Sequence, residues 1–386
     1  MIVLKNGTVV TGDGSTLLPR ASVLVDGYRI VDVVERLEDS VLSQASQIID
    51  CTGKCIMPGM INHHVHGVVF GPVFASGMAP YTNQRVLQLL DRNLLQGQTT
   101  ICNVDGFATM DEVRETQAAH PVRIKTATSH TPLCVAAADL CDGGGLLAEH
   151  RSMTVEKMLK LGAVAIGEIG GGHVLGGGGQ DYLYIPKAVK AKTGRVIDTF
   201  QARALKLAVL GHFILPDACD MEKVAAALKN ASLDDVMTPE EGRQLVMDTT
   251  WASVLVTLDS YKECTELAVK YDVPLIIHNA PTSMKTIQEA AKMGANNFIA
   301  AHSNYLYTKD EAIENALKLK QNKGVIIDAA VHDPFGAKKL VATPENLFAF
   351  FEQDLLDIFS TDFAAGEWDS MLLAIDEVVS RGLTTL

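Results

Sequence analysis

The chain has 386 residues, 33 of them lysine or arginine and 46 aspartate or glutamate, for a net charge of −13. With 47% hydrophobic and 20% charged residues, the composition excludes a disordered or low-complexity protein. The acidic balance argues against a nucleic-acid surface, which needs a basic face, and no run of about 18 apolar residues offers a membrane span.

Residues 1–57 read as short strands punctuated by glycine, at 2–4, 9–10, 22–25, 29–34 and 47–50. They predict a small antiparallel β unit. The opening residues lack the basic and apolar blocks of a signal peptide. Seven cysteines, at 51, 55, 102, 134, 141, 219 and 264, show no C-x-x-C spacing. An odd count in a long chain predicts reduced thiols in a cytoplasmic protein.

From Pro58 the texture changes. Apolar runs occur at 56–61, 99–104, 122–128, 163–169, 273–277, 297–301, 324–330 and 357–360. Amphipathic helical patterns separate most of them, such as 83–95, 155–161, 261–271, 283–293, 309–320 and 344–352. Near-continuous apolar runs are what strands buried on both faces look like. Eight of them with helical crossovers predict an α/β fold, a (β/α)8 TIM-like barrel over residues 58–386. The connection from Ile169 to Val273 is far too long for one crossover. It carries two glycine clusters, a basic stretch (Lys187, Lys190, Lys192, Arg195) and three expected helices, one opened by Thr238-Pro239-Glu240-Glu241. It reads as a helical insertion over the barrel mouth, at about 171–258.

Polar residues close many of these runs. His64 and His66 follow the first, Glu168 closes the fourth, His278 the fifth, His302 the sixth and Asp362 the eighth. In a parallel barrel the carboxyl ends of the strands converge on one face. His64 and His66, two apart on an extended chain, point the same way. Four imidazoles and two carboxylates suit zinc, iron or manganese, and they are enough for two ions bridged by a carboxylate. His130 (after the third strand), His173 (in the insertion) and His332 (after the seventh) are further candidates for touching substrate. Asp328, on the seventh strand, is a candidate to support the site. His63, beside the pair, faces away.

Pro58-Gly59-Met60-Ile61-Asn62-His63-His64-Val65-His66 resembles the Pro-Gly-x-Ile-Asp-x-His-x-His opening of the amidohydrolase superfamily. His278, His302 and Asp362 fall in that family's order. The resemblance runs from residue 1 to the end of the chain. It implies a metal-dependent hydrolase of non-peptide C–N bonds, with an N-terminal β-sandwich-like subdomain over 1–57. Many members bridge their metals with a carbamylated lysine on strand four; here Glu168 stands there, similar to enamidase. The resemblance implies His64, His66 and Asp362 around one ion, His278 and His302 around the other, and Glu168 bridging both. Two divalent ions, zinc first, would activate a bridging hydroxide, with Asp362 shuttling the proton. The implied substrate is a small cyclic amide, imide or enamide; the basic stretch reads as a solvated helix face and would favour an anionic substrate only if the insertion turned it toward the mouth. A heterocyclic-amine deaminase and a non-catalytic scaffold subunit are the alternatives. Asn62 departs from the motif's Asp, which changes the support of the ligands. Members also continue past the strand-eight Asp with strands that complete the sandwich. This sequence stops 24 residues after Asp362, which leaves three expectations open: a truncated sequence, a minimal member, or, the one favoured, a homo-oligomer or a second subunit supplying those strands.

Overall fold

In the computed structural model, residues 1–331, 343–362 and 370–385 are described. The chain divides into two compact units, Met1–Met60 with Thr384–Leu386, and Ile61–Leu383.

In the first unit, Ile2–Val10, Leu17–Asp26 and Arg29–Val34 form an antiparallel meander. Gln47–Asp50 and Cys55–Ile56 then pair parallel to Ile2–Val10. The sheet is therefore mixed, not antiparallel throughout as the strand pattern suggests. The runs at 2–4 and 9–10 are one strand, with a shift of register around Gly7. Val9, Ala21 and Val23 are its buried centre.

The second unit holds eight strands, Met60–Val65, Gln98–Asn103, Arg123–Thr128, Ala165–Ile169, Leu275–His278, Phe298–Ala301, Val325–Ala330 and Ile358–Ser360, in one sheet whose spatial order is their chain order. The pairs are parallel where their register is defined, as in Thr100↔Arg123, Leu275↔Phe298 and Asp328↔Ile358. This is the (β/α)8 barrel. Its first strand sits four residues later than the apolar run at 56–61 predicts. Pro58 has no N–H for a ladder, and Ile56 is already paired with Val9. His64 therefore lies within the strand and His66 just past its end.

The helices follow from caps and stripes. Thr82 caps Asn83–Leu95, which buries Val86, Leu89 and Leu90. Each such side chain contributes about 1.5–3 kcal/mol by leaving water. Thr109 and Glu112 form a capping box on Met110–Ala119. Among the described residues no helix is long and apolar enough to cross a membrane.

The insertion contains four α-helices, Ile185–Thr193, Thr199–Leu210, Met221–Asn230 and Pro239–Val246, before the crossover helix Ala252–Tyr271. Thr238 caps the fourth, with Glu241 completing the box. The first of these helices is the basic stretch itself, a solvated helix face. Ile185 and Val189 are buried, four apart on one face, while Lys187, Lys190 and Lys192 stay exposed. Lys192 pairs with Glu241 and Arg195 with Asp235. The basic residues therefore face solvent and surface carboxylates, not the barrel mouth, which removes the argument for an anionic substrate. Leu205, Val209, Leu228 and Val246 share one apolar core with Tyr261, Ile277 and Phe298, so the insertion is continuous with the barrel.

Among the described residues, no ladder joins the first strand to the eighth. A buried side chain does so instead. The Asn62 amide donates to Gln98 Oε1 at 2.9 Å and to Thr361 Oγ1 at 2.6 Å. Its carbonyl accepts from the backbone of His64 at 3.3 Å and Thr361 at 3.4 Å. Asn62 thus laces the barrel closed beside Asp362.

Candidate metal centre

The strand ends bring His64, His66, Glu168, His278, His302 and Asp362 together. Glu168 is at their middle, and its two oxygens face different partners. Oε1 lies 2.9 Å from His278 Nδ1 and 2.7 Å from His302 Nε2. Oε2 lies 3.5 Å from both His64 Nε2 and His66 Nε2. Asp362 Oδ1 is 3.3 Å from those same two nitrogens. Gly167 makes the turn into Glu168 possible: its φ is +137°, and a Cβ there would strike the Ile276 carbonyl.

All six side chains are buried except Asp362, which is 13% exposed. Burial alone would raise the Glu168 carboxyl, but the surrounding histidines outweigh it and hold the group well below its ordinary range. Burial likewise lowers His64, but Glu168 and Asp362 outweigh it and raise the imidazole to about 10. Burial and His302 hold His278 at about 4. The two carboxylates thus demand positive charge in a dry site. Both ring nitrogens of His64 and Nε2 of His278 are buried with no hydrogen-bond partner. A buried imidazole nitrogen left without a proton partner is costly unless its lone pair meets a cation. Clusters of ligand atoms form at His64–His66–Asp362 and at His64–Glu168–His302. Four imidazoles and two carboxylates suit a borderline divalent ion such as zinc. The residues fit.

Supporting contacts fix the ligands. Asp105, just past the second strand, accepts at 2.9 Å from His66 Nδ1 and from the Gly67 amide, and at 2.8 Å from the Phe74 amide. That leaves His66 Nε2 to face the centre. Asp328 accepts from the His302 amide at 2.6 Å and from Ser360 Oγ at 3.1 Å. His63 does point away from Glu168, but toward Asp328 Oδ1 at 3.5 Å. Tyr261 and Ser283 both donate to the His278 carbonyl. Replacing Asp105 with alanine should weaken metal binding about 10–100-fold. Competition with a chromophoric chelator measures it, and unchanged affinity would remove Asp105 from this role.

A cleft of about 570 Å³, counting space open to solvent, rises from the centre. Phe74, His173, Tyr182, Tyr305 and the glycines at 171, 172, 178 and 179 line it. His173 is therefore at the cleft. His130 is not among its lining residues. It packs edge-on to Phe107, with Nδ1 2.9 Å from Thr128 Oγ1. His332 lies outside the described residues. Asp105 and Tyr182 are the residues sequence reasoning missed. The strand-end rule that found Glu168 would have found Asp105 if applied to the second strand.

Burial holds His130 at about 4, against an ordinary 6.5. The unfolded chain takes up this proton below about pH 6.5, and the folded protein only near pH 4. Stability therefore falls as pH falls through that window, by about 3 kcal/mol for the full shift. Urea unfolding of His130→Leu between pH 7 and 4.5 should show a correspondingly flatter dependence. An unchanged slope would assign the acid sensitivity elsewhere.

No protein-family model matches the sequence. A dihydroorotase of Streptococcus thermophilus is 39% identical over 66 residues, 17% of this chain and 14% of that protein. A 5-methylthioadenosine/S-adenosylhomocysteine deaminase of Thermococcus kodakarensis is 38% identical over 65 residues, again 17% and 14%. The match thus spans about a seventh of these relatives' length. Among solved structures, an L-hydantoinase (dihydropyrimidinase) from Arthrobacter aurescens aligns over 100% of this chain and 78% of its own, with 14% identity and a TM-score of 0.48.

Proposed function

We propose that the chain is a metal-dependent hydrolase of the amidohydrolase superfamily, cleaving a non-peptide C–N bond in a small cyclic amide, imide or enamide. One observation carries this reading: the two oxygens of a single buried glutamate face two separate sets of ligands. A structural carboxylate needs no such division. A carboxylate holding two cations does.

His64, His66 and Asp362 would hold one divalent ion, His278 and His302 the other, and Glu168 both. Zinc is the first choice. Bound there, such ions lower the pKa of a water and polarise a carbonyl. The chain's own residues supply the rest. Asp362 lines the cleft and is the most exposed of the six, so it accepts the attacking water's proton and returns it to the leaving nitrogen. Asp105 keeps His66 in one tautomer. Phe74, Tyr305 and the glycine loop exclude bulk water from the reacting bond.

Elemental analysis of the purified chain is the first test. About two equivalents of zinc, iron or manganese should be present or taken up on reconstitution. The metal-loaded protein should then hydrolyse a member of a panel of hydantoins, dihydropyrimidines, lactams and cyclic imides. Ammonia release from heterocyclic amines would identify a deaminase instead. A protein that takes up no metal would sink the reading.

A further inference from the structure

Lys206 stands on the insertion helix Thr199–Leu210, on a buried face that also carries Leu205 and Val209, and is only 2% exposed. A lysine so deep is costly unless the donors of its ammonium are matched. Here all three are. Nζ donates to the Gly176 carbonyl at 2.6 Å and to the Gly177 carbonyl at 3.2 Å, and pairs with Asp181 Oδ1 at 2.5 Å. Asp181 is itself buried, on a π-helical turn at Gln180–Tyr184. Burial pushes the ammonium down and the carboxyl up, and the charge of each partner opposes the shift of the other. The three acceptors lie in the segment whose glycines line the cleft above the centre. Other side chains hold the same segment: Ser253 Oγ donates to the Val174 carbonyl at 3.1 Å, and the Tyr305 hydroxyl accepts from the Gly178 amide at 2.9 Å. The loop folds back too tightly for a side chain at Gly177, where a Cβ would come within 2.7 Å of the Gly172 Cα.

We propose that Lys206 is a positioning residue for the cleft: its buried ammonium, gripping two glycine carbonyls and Asp181, fixes the glycine loop as a standing wall over the metal centre. A buried ion pair is a poor source of stability, since apolar groups of the same shape often serve a fold as well or better. What this pair supplies is geometry. A run of glycines has more backbone freedom to lose than any other sequence, and two carbonyls turned onto one cation select a single path for it. Gly178, Gly179 and Tyr182, which follow those carbonyls directly, are thereby held at the cleft. A wall set in this way needs no closing movement before reaction. The proposal rests on the metal reading for what the wall encloses, and on the ammonium contacts alone for how the wall is held.

The test uses the full chain reconstituted with zinc. Lys206→Met combined with Asp181→Leu removes both charges at nearly constant shape, so no buried charge is left alone. The urea midpoint of this double variant should be no lower than that of the unsubstituted protein. The amides of residues 171–182 should nevertheless exchange with deuterium at least about tenfold faster, while those of the strands Gln98–Asn103 and Leu275–His278 keep their rates. Zinc should pass to excess EDTA at least about tenfold faster, with the amount bound unchanged, because the wall over the centre has loosened. Asp181→Asn alone keeps an acceptor for the ammonium and its grip on both carbonyls, so the loop should exchange nearly as in the unsubstituted protein. A lysine with a merely structural role would move the midpoint and the exchange of the whole chain together. That outcome, loop exchange in the double variant within about twofold of the unsubstituted protein, or an unchanged rate of zinc loss would each overturn the proposal. Faster exchange confined to the loop in a chain that takes up no zinc would refute the metal reading alone.

Discussion

Glu168→Gln should cost the centre at least one of the two proposed ions and lower hydrolysis by at least about a thousandfold, or roughly 4 kcal/mol of barrier. The substitution preserves size and one acceptor oxygen, so the pocket keeps its shape. It removes a charge and a ligand together. Oε1, between His278 and His302 at 2.9 and 2.7 Å, and Oε2, toward His64 and His66 at 3.5 Å, cannot both be replaced by an amide, whose nitrogen has no lone pair to offer. The electrostatics move the same way, since Glu168 is the largest influence raising His64 against its burial. Elemental analysis and turnover at saturating zinc measure both effects. Two tightly held ions and near-normal turnover in this variant would rule out a bridging role.

Asp362→Asn should separate chemistry from metal binding. Five of the six proposed ligands remain, Glu168 among them, so most of the metal stays. The proton carrier does not. General acid–base groups are worth about 10²–10⁴-fold, and here one group serves both the attack and the departure of nitrogen. A loss of about 10³-fold in turnover is expected, with metal content near two equivalents and substrate affinity little changed. Turnover within tenfold of the unsubstituted enzyme would move the proton-carrying role to another group.

The barrel was legible because its strands are buried on both faces. Ala165–Ile169 is buried throughout, and apart from Glu168, which faces the centre, the run is apolar. The centre was legible for the complementary reason: histidines and carboxylates at strand ends contradict the pattern they terminate. What stayed hidden depends on how the chain comes back on itself. Nothing local marks Asp105 as the partner of His66, 39 residues away. Tyr182 reads as an ordinary aromatic in a helical segment until His173 is placed beside it. The basic stretch was legible as charge, but its buried Ile185 and Val189 set the helix. At Pro58 a run of apolar character masked a break that a missing N–H imposes.

The lacing at Asn62 bears on how the centre comes into being. Glu168 and His278 stand on the fourth and fifth strands and His302 directly after the sixth, immediate neighbours in the sheet. That half of the ligand set is complete as soon as three consecutive strands associate. His64 lies in the first strand, His66 just past its end, and Asp362 follows the eighth, separated by almost the whole barrel sequence. They meet when the ring shuts, and among the described residues the Asn62 amide, reaching Gln98 and Thr361, is a contact that spans the closure beside them. Closing the barrel is therefore what completes the ligand set: three ligands need only adjacent strands, and the other three need the two ends of the sheet to meet.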